Sequence, residues 1–495
     1  MRLDVILHLT GTIVRVFAAM LLVPLALALH DGDRRDAAGF LVAAIVAGVA
    51  GQLATRAGGE GEGDLRRVEA MTVVAAAWLA VAIVAAVPYV WAGIGPVDAL
   101  FESMSGLTTT GATIFADFSR HGRSIFLWRG MTQWLGGMGV IALFVAVMPR
   151  LAIAGRQLFF AEAPGPTDEK LTPQVRRTAA VLWRLYVGLS ALEVAALAAA
   201  GMPLYDAVCN TMATLAAGGF SPHPLSIAGY GNPVAEWIIT TFMFLAGANF
   251  ALQYRVLRGH PRALADDEEF RAYGGVVLVV SGLLAFFLWR GGMHVPAAVR
   301  HGVFQVVSII TTTGFASVDF QNWSDQAKGI LLAAMFIGGC AGSAGGGPKV
   351  VRYLLIARFT LVELRRTLHP RAVLPVRLNG RVVPDEVMRA VIAFFLAYLA
   401  VFAVSVLVVV GFGADLVTGI TATIATLGNI GPGFGLVGPM ASYSHLHPVS
   451  KLVLTAAMWF GRLEIITVLA LLRPEVWRVA RWRERPHGTD GRVAS

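Results

Sequence analysis

Charge is scarce in this chain. Only 14 % of its 495 residues are Asp, Glu, Lys or Arg, while 56 % are hydrophobic; soluble domains carry about a quarter charged. That balance excludes a water-soluble globule and predicts a polytopic membrane protein. Cysteine is scarcer still. Cys209 and Cys340 are the two in the chain, both in apolar stretches, so neither a disulfide framework nor a metal cluster is expected. His223, His294, His301, His445 and His447 are scattered over expected outer loops rather than set at ligand spacing. A membrane-embedded enzyme would need a paired-acid, His-cluster or nucleophile constellation, and the chain offers none, so it is read as a non-enzyme. The net charge of +9 does not point to nucleic acid, because the basic residues sit between hydrophobic runs, as the positive-inside rule expects of cytoplasmic loops.

What the chain has is apolar length. Runs of about twenty residues, enough for a helix to span the hydrocarbon, fall near 12–29, 37–55, 70–94, 127–149, 179–200, 233–254, 273–290, 327–360, 386–412 and 448–472. The first is followed by Asp31-Gly32-Asp33-Arg34-Arg35 rather than a small-residue cleavage site, which predicts a retained helix. With a cytoplasmic N-terminus, the loops near 56–69, 150–178, 255–271 and 349–385 and the tail after 473 all fall inside. These are the Arg-rich ones. From Lys349 to Arg381 the chain carries Lys349, Arg352, Arg358, Arg365, Arg366, Arg371, Arg377 and Arg381 against the single acid Glu363.

Glycine is placed with regularity. Thr108-Thr109-Thr110-Gly111, Ala216-Ala217-Gly218-Gly219, Thr311-Thr312-Thr313-Gly314 and Gly428-Asn429-Ile430-Gly431 each lie between two apolar runs, which is the signature of an internal repeat. A desolvated cation needs oxygens from several directions, and carbonyls at glycine turns supply them without side-chain bulk. Ahead of each turn is a segment too short to cross, 98–108, 206–215, 300–310 and 415–426, suited to a re-entrant helix. Asp98, Asp206 and Asp415 stand at three of the starts, where a carboxylate caps free N–H groups or recruits cations. The partly negative C-terminal helix ends would point to the glycine turns, a polarity that favours a cation at the midplane.

The run Gly338 to Pro348 holds six glycines and a proline in eleven residues, which no straight helix would carry. A loop below the glycine turns is expected. It is no nucleotide P-loop, since Pro348 precedes Lys349, no Ser or Thr follows, and the run leaves a membrane span rather than a strand. Arg462 is a charge inside an apolar span, with Glu464 two residues on; it faces either a cavity or an acid such as Glu464. Lys349 is open to two readings, a glycine-loop residue or an interfacial cation. Arg129 is expected at the outer interface, and Gln133, Glu193, Asn210, Asn249 and Gln305 in helix-packing hydrogen bonds.

The stretches TTTGAT (Thr108–Thr113), LAAGGFS (Leu215–Ser221), TTTGF (Thr311–Phe315), LGNIGPG (Leu427–Gly433), GGCAGSAGGGPK (Gly338–Lys349) and GRLEI (Gly461–Ile465) resemble, in this order, the TrkH/TrkG branch of the Trk/Ktr/HKT superfamily of potassium uptake proteins. The resemblance implies four membrane-helix/pore-loop/membrane-helix repeats around one pore, at 68–150, 176–256, 271–360 and 384–473. An N-terminal hairpin at 1–56 and a cytoplasmic tail at 474–495 complete the chain. It implies a potassium filter built from Thr109, Thr110 and Gly111, from Ala217, Gly218 and Gly219, from Thr312, Thr313 and Gly314, and from Asn429, Ile430 and Gly431. In the fourth loop Gly428 competes with Gly431, and the Gly-Pro after Ile430 favours Gly431. Relatives with glycine at all four places tend to select potassium. The glycine loop (338–348), through Gly338, Gly339, Gly342, Ser343, Gly345, Gly346 and Gly347, with Lys349 and the pore-facing Arg462, is implied to be the gate. A homodimer in the bacterial inner membrane and a TrkA-like nucleotide-binding cytoplasmic partner are implied as well, with potassium as cargo and no organic cofactor. The alternative is a symporter coupled to protons or sodium, whose relay would draw on Glu102, Glu193, Glu236 or Glu464.

Overall fold

A computed structural model describes residues 1–59, 67–151 and 171–474 of the chain. The expected loops at 56–69 and 150–178 fall partly, and the tail almost wholly, outside these residues. Helices carry the fold, as they must where lipid offers the backbone no partner. Six are apolar and long enough to cross a bilayer unbroken: Leu3–His30, Arg34–Ala57, Val68–Trp91, Thr178–Ala199, Glu268–Arg290 and Asp385–Gly411. The chain is an all-α polytopic membrane protein.

Helices α1 (Leu3–Met20) and α2 (Leu22–His30) form the first span, which starts at Leu3 rather than near residue 12, and α3 (Arg34–Ala57) returns beside them. Asp33 caps α3, accepting from the N–H groups of Arg35 and Asp36. Gly11 and Gly51 let the two backbones touch, for a Cβ on Gly11 would strike the Gly51 carbonyl oxygen.

One element order then recurs: a long helix, a short helix, an extended stretch, a second helix. It runs α4 (Arg67–Trp91), α5 (Pro96–Leu107), α6 (Arg123–Leu151), then α7 (Leu171–Ala199), α8 (Leu204–Leu215), α9 (Pro233–Ala246) with α10 (Phe250–Leu257). After the short α11 (Arg262–Asp266) come α12 (Glu268–Arg290), α13 (Val295–Ile310), α14 (Asp325–Ala334) and α15 (Val350–Leu368). The last set is α16 (Asp385–Gly411), α17 (Leu416–Leu427), α18 (Pro448–Arg462) and α19 (Ile465–Leu471). The short helices α5, α8, α13 and α17 fall where re-entrant segments are expected, except that α13 starts at Val295 instead of near 300. Pro296 in its first turn has the fixed φ that begins a helix.

Of the three expected capping carboxylates, Asp415 alone caps. It accepts the Thr418 N–H at 3.0 Å, and that residue's hydroxyl and N–H hold the Asp415 carboxyl below the usual carboxylate range. Asp98 lies inside the first turn of α5 and takes Lys451 Nζ at 2.5 Å instead. Asp206 lies inside the first turn of α8, whose N-cap position is held by Pro203.

Two spans expected to be continuous are broken. The run at 233–254 bends by 103° between α9 and α10, and that at 448–472 by 111° between α18 and α19. At the first break Asn249 caps α10, accepting the Ala251 N–H at 2.8 Å. The freed backbone is satisfied by the glycine run: Cys340 N–H donates to Gly247 O, Ala344 N–H to Ala246 O, and Phe250 N–H to Gly342 O, at 2.8 to 3.1 Å. At the second break Glu464 sits at φ +65°, outside the helical region. Arg462 therefore stands at a break, not in the middle of a straight span. Among the described residues the one sheet is an antiparallel hairpin, β1 (Arg377–Leu378) with β2 (Arg381–Val382), turning through Asn379 at φ +49° and Gly380 at φ +75°.

Candidate functional site

Each short helix ends in the same backbone figure. A residue with a left-handed φ is followed two places on by a glycine that also has positive φ: Thr109 (+53°) and Gly111 (+80°), Ala217 (+55°) and Gly219 (+76°), Thr312 (+61°) and Gly314 (+81°), Asn429 (+55°) and Gly431 (+102°). In the fourth turn Gly428 keeps ordinary helical angles at the end of α17, so Gly431 is the counterpart of the other three. Left-handed φ at a threonine is strained, and strain of this kind gathers at functional sites. It is over-determined here by side chains: Thr108 Oγ1 lies 2.8 Å from Thr110 Oγ1, and Thr311 Oγ1 lies 2.8 Å from Thr313 Oγ1.

The four turns meet. A Cβ on Gly111 would strike the carbonyl oxygen of Gly218, one on Gly219 that of Thr313, one on Gly314 that of Ile430, and one on Gly431 that of Thr110. The contacts run from first to second to third to fourth and back to first, a closed ring of glycines and carbonyls.

Polar side chains brace the ring from behind. Glu102 accepts the Ile114 N–H at 2.8 Å, and Gln305, in the same place ahead of its glycine, accepts the Ser317 N–H at 2.9 Å. Gln133 donates to Gly218 O at 2.5 Å and accepts the Phe220 N–H at 3.0 Å. Thr421 accepts the Phe434 N–H at 2.9 Å. Gln133 and Gln305 thus hold the loops that follow the glycine turns, a more specific task than helix packing, whereas Asn210 bonds the Tyr230 hydroxyl as a packing residue would.

Arg129 is not at the outer interface. It is 2 % exposed, with Nε 2.7 Å from Glu102 Oε1, Nη1 3.3 Å from Ser221 O and Nη2 3.0 Å from Thr113 Oγ1, and its guanidinium lies over the Phe220 ring. The signal was Glu102: an acid within a short apolar helix calls for a cation. Arg129 and all four glycines also line an open vestibule on one side of the ring, with Tyr443 among its walls. Tyr443 ties that wall to the ring, donating its hydroxyl to Gly431 O at 2.7 Å and its N–H to Thr113 O at 2.8 Å. His301, expected on an outer loop, lies in α13 with Nδ1 2.9 Å from Ser317 Oγ.

The glycine run fills the space between α14 and α15 and packs on the turns. A Cβ on Gly338 would strike the Pro348 carbonyl oxygen, so the two stems of the loop touch; one on Gly339 would crowd Gly247, and one on Gly342 the Asn249 side chain. A Cβ on Gly345 would meet Thr311 O, and one on Gly346 Asn429. Gly347 takes φ +64°. The Gly346 N–H donates to Thr312 Oγ1 at 2.6 Å, the Ser343 hydroxyl to Cys340 O at 2.6 Å, and Lys349 Nζ to Gly345 O at 2.6 Å. Lys349 therefore bonds within the loop. Arg462 Nη1 donates to Ala344 O at 2.8 Å, while its buried Nε and Nη2 have no hydrogen-bond partner. Glu464 is not the partner of Arg462; it pairs with Arg352 at 2.5 Å. The structure thus brings the four turns, the glycine loop, Lys349 and Arg462 into one contiguous site.

The chain matches the TrkH model, described as a cation transport protein, over residues 38–269 and 291–478. It is 38 % identical over 487 residues to the Trk system potassium uptake protein TrkH of Salmonella typhimurium, covering 97 % of this chain and 100 % of that protein. It is 34 % identical over 484 residues to the Trk system potassium uptake protein TrkG of Escherichia coli, covering 96 % and 98 %. The crystal structure of the potassium transporter TrkH from Vibrio parahaemolyticus superposes with a TM-score of 0.88 at 33 % identity, over 97 % of this chain and 100 % of that one. With so much of the chain matched, it belongs to the TrkH family of cation transport proteins.

Proposed function

We propose that the chain takes up potassium across the bacterial inner membrane through one pore, formed by four helix/pore-loop/helix repeats. The ring of Gly111, Gly219, Gly314 and Gly431 with the carbonyls of Thr110, Gly218, Thr313 and Ile430 is the observation that carries this reading. Potassium sheds water there and is held by main-chain oxygens of the residues Thr109–Gly111, Ala217–Gly219, Thr312–Gly314 and Asn429–Gly431. The vestibule faces outside, and the Arg-rich loops and both termini face the cytoplasm. The loop 338–348 obstructs the path beneath the ring, and Arg462 sets a positive charge there that opposes cation passage until the loop moves. A homodimer of such pores and a TrkA-like nucleotide-binding protein on the basic inner face belong to the same reading.

A conductive pore is favoured over proton symport because three of the four acids named for a relay, Glu102, Glu236 and Glu464, are paired with Arg129, Arg300 and Arg352. That leaves as the single candidate Glu193, buried in α7 with no hydrogen-bond partner on its carboxylate instead of the packing bond expected of it. The test is rubidium uptake into liposomes holding the purified chain, driven by a potassium gradient. Potassium competes and sodium and lithium do not. Uptake that requires a pH gradient would replace the pore with a symporter.

A further inference from the structure

The glycine loop is fastened from the side away from the filter by one carboxylate. Glu269, at the start of α12 and 5 % exposed, accepts the Ala341 N–H at 2.7 Å and the Val351 N–H at 3.1 Å on the same oxygen, Oε1. One of these N–H groups, that of Ala341, lies in the first half of the loop, and the other, that of Val351, lies just after its exit. A single buried carboxyl oxygen thereby ties the first half of the loop to the residue just past its exit.

The residues just before Glu269 are bound to the β1–β2 hairpin. Asn379, at the hairpin tip, accepts the Glu268 N–H at 2.9 Å, donates its own N–H to Glu268 Oε2 at 2.8 Å, and donates Nδ2 to Asp267 Oδ2 at 3.0 Å. Glu268 also pairs at 2.7 Å with Arg358 of α15, the helix that leaves the loop, and Arg358 donates to Arg377 O of β1. An apolar cluster makes the same connection: Ala341 of the loop, Val351 and Leu355 of α15, and Val376, Leu378 and Val383 of the hairpin are buried together. Beside these contacts is a cavity of about 430 Å³, bounded by Asn249 and Leu252 of α10, Glu269, Val351 and Asn379. It gives the hairpin and the start of α12 room to move.

We propose that Glu269 is the positioning residue that latches the gate loop, and that the hairpin is the lever by which the cytoplasmic side releases it. The inference rests on the reading of residues 338–348 as the gate. Displacing the hairpin pulls Asp267 and Glu268 through Asn379, draws Glu269 off the two N–H groups, and frees the loop to leave the path.

The test compares four variants in the liposome assay, each checked for wild-type elution, with amide exchange followed over the loop. Glu269→Ala raises rubidium uptake by about a hundredfold, the scale expected when a closed state loses two hydrogen bonds to a buried carboxyl group, and speeds exchange at 338–351. Glu269→Gln, whose amide oxygen still accepts, lies between Ala and wild type. Asn379→Ala, on the exposed hairpin, shifts both readouts in the same direction by less. Arg462→Ala is the reference for the gate itself. Raised uptake in Arg462→Ala with unchanged uptake in both Glu269→Ala and Asn379→Ala overturns the latch and leaves the gate standing. Unchanged uptake in Arg462→Ala, Glu269→Ala and Asn379→Ala alike overturns the gate and the latch with it. If Glu269→Ala does not fold, Asn379→Ala decides: wild-type uptake and exchange there overturn the lever.

Discussion

The four turns that end α5, α8, α13 and α17 share one backbone figure, whereas the second helices that follow them differ in nearly everything. Helix α6 runs unbroken from Arg123 to Leu151, α9 bends by 103° at Asn249, α14 stops for the glycine loop, and α18 bends by 111° at Glu464. The difference separates two demands. On the proposed reading, a ring that strips water from an ion needs equivalent oxygens on all sides; each turn does meet its neighbour, carbonyl against glycine. On the same reading, a gate needs only one element that moves and partners that hold it, so the side of the loop is free to lose its equivalence. The three breaks are coupled: the bend at Gly247–Asn249 receives the loop's backbone bonds, and the bend at Glu464 presents Arg462 to Ala344 and Glu464 to Arg352.

Breaking the ring is expected to have the largest effect. Gly219→Ala places a Cβ on the Thr313 carbonyl oxygen at a left-handed φ, and rubidium uptake falls to background with the protein still folded. Gly111→Ala, Gly314→Ala and Gly431→Ala fall as far, while Gly428→Ala, at helical angles, keeps most of the flux. A fourth turn that answered at Gly428 rather than Gly431 would break the equivalence.

Next in size is the brace behind the first two turns. Arg129→Met strands Glu102, which is 0 % exposed, and removing one partner of a buried pair costs on the order of 3 kcal/mol. Thermal unfolding in detergent drops accordingly, and Glu102→Gln combined with Arg129→Met recovers part of the loss. An additive double variant would mean that the two residues act independently.

On the side of the glycine loop, Arg462→Ala raises flux or loosens the preference for potassium over sodium, because Arg462 keeps two buried donor nitrogens without hydrogen-bond partners beside the loop. Flux and selectivity equal to wild type would make Arg462 a brace for Ala344 rather than a barrier.

The side of the turns was legible in the sequence because its chemistry is local. A turn of left-handed φ needs glycine at 111, 219, 314 and 431, and a short apolar helix ahead of each is bounded by length. The second left-handed position was not legible, since no single residue type runs through all four of Thr109, Ala217, Thr312 and Asn429; at the threonines and the alanine, ring closure imposes a φ that is not their own preference. The breaks were hidden for another reason. Hydropathy does not change across 247–249 or 463–464, and the signals there, Asn249 as a cap and a charged pair two apart, are each common without a break. The Asn379-Gly380 hairpin did carry its signal, the dipeptide of a tight two-residue turn, masked by the arginines around it. Arg129 was misplaced because a cation at the end of an apolar run is ordinarily interfacial, and its partner Glu102 becomes a neighbour only when α5 folds back against α6.

The smallest effect tests how far the side of the turns is truly even. Lys451 stands three residues after Pro448 in α18, and Glu236 three after Pro233 in α9. Lys451 reaches Asp98 of α5 at 2.5 Å. Glu236 Oε2 lies 2.9 Å from Arg300 Nε of α13, a charge contact without hydrogen-bond alignment. The two joints occupy corresponding places with the charges reversed, and the first closes the circle from the last set of helices to the first. Lys451→Met removes a buried cation from a partly exposed acid, so a stability loss of about 1 kcal/mol is expected, read as a small fall in unfolding temperature with uptake and selectivity unchanged. Lys451→Glu adds repulsion against Asp98 and falls further, and pairing it with Asp98→Lys restores the joint in the polarity of Glu236 and Arg300. Full restoration would mean that the ring needs a charge pair at this corner and is indifferent to its sense. Lost selectivity in a stable Lys451→Met would mean that the closing joint sets the filter as well as holding it.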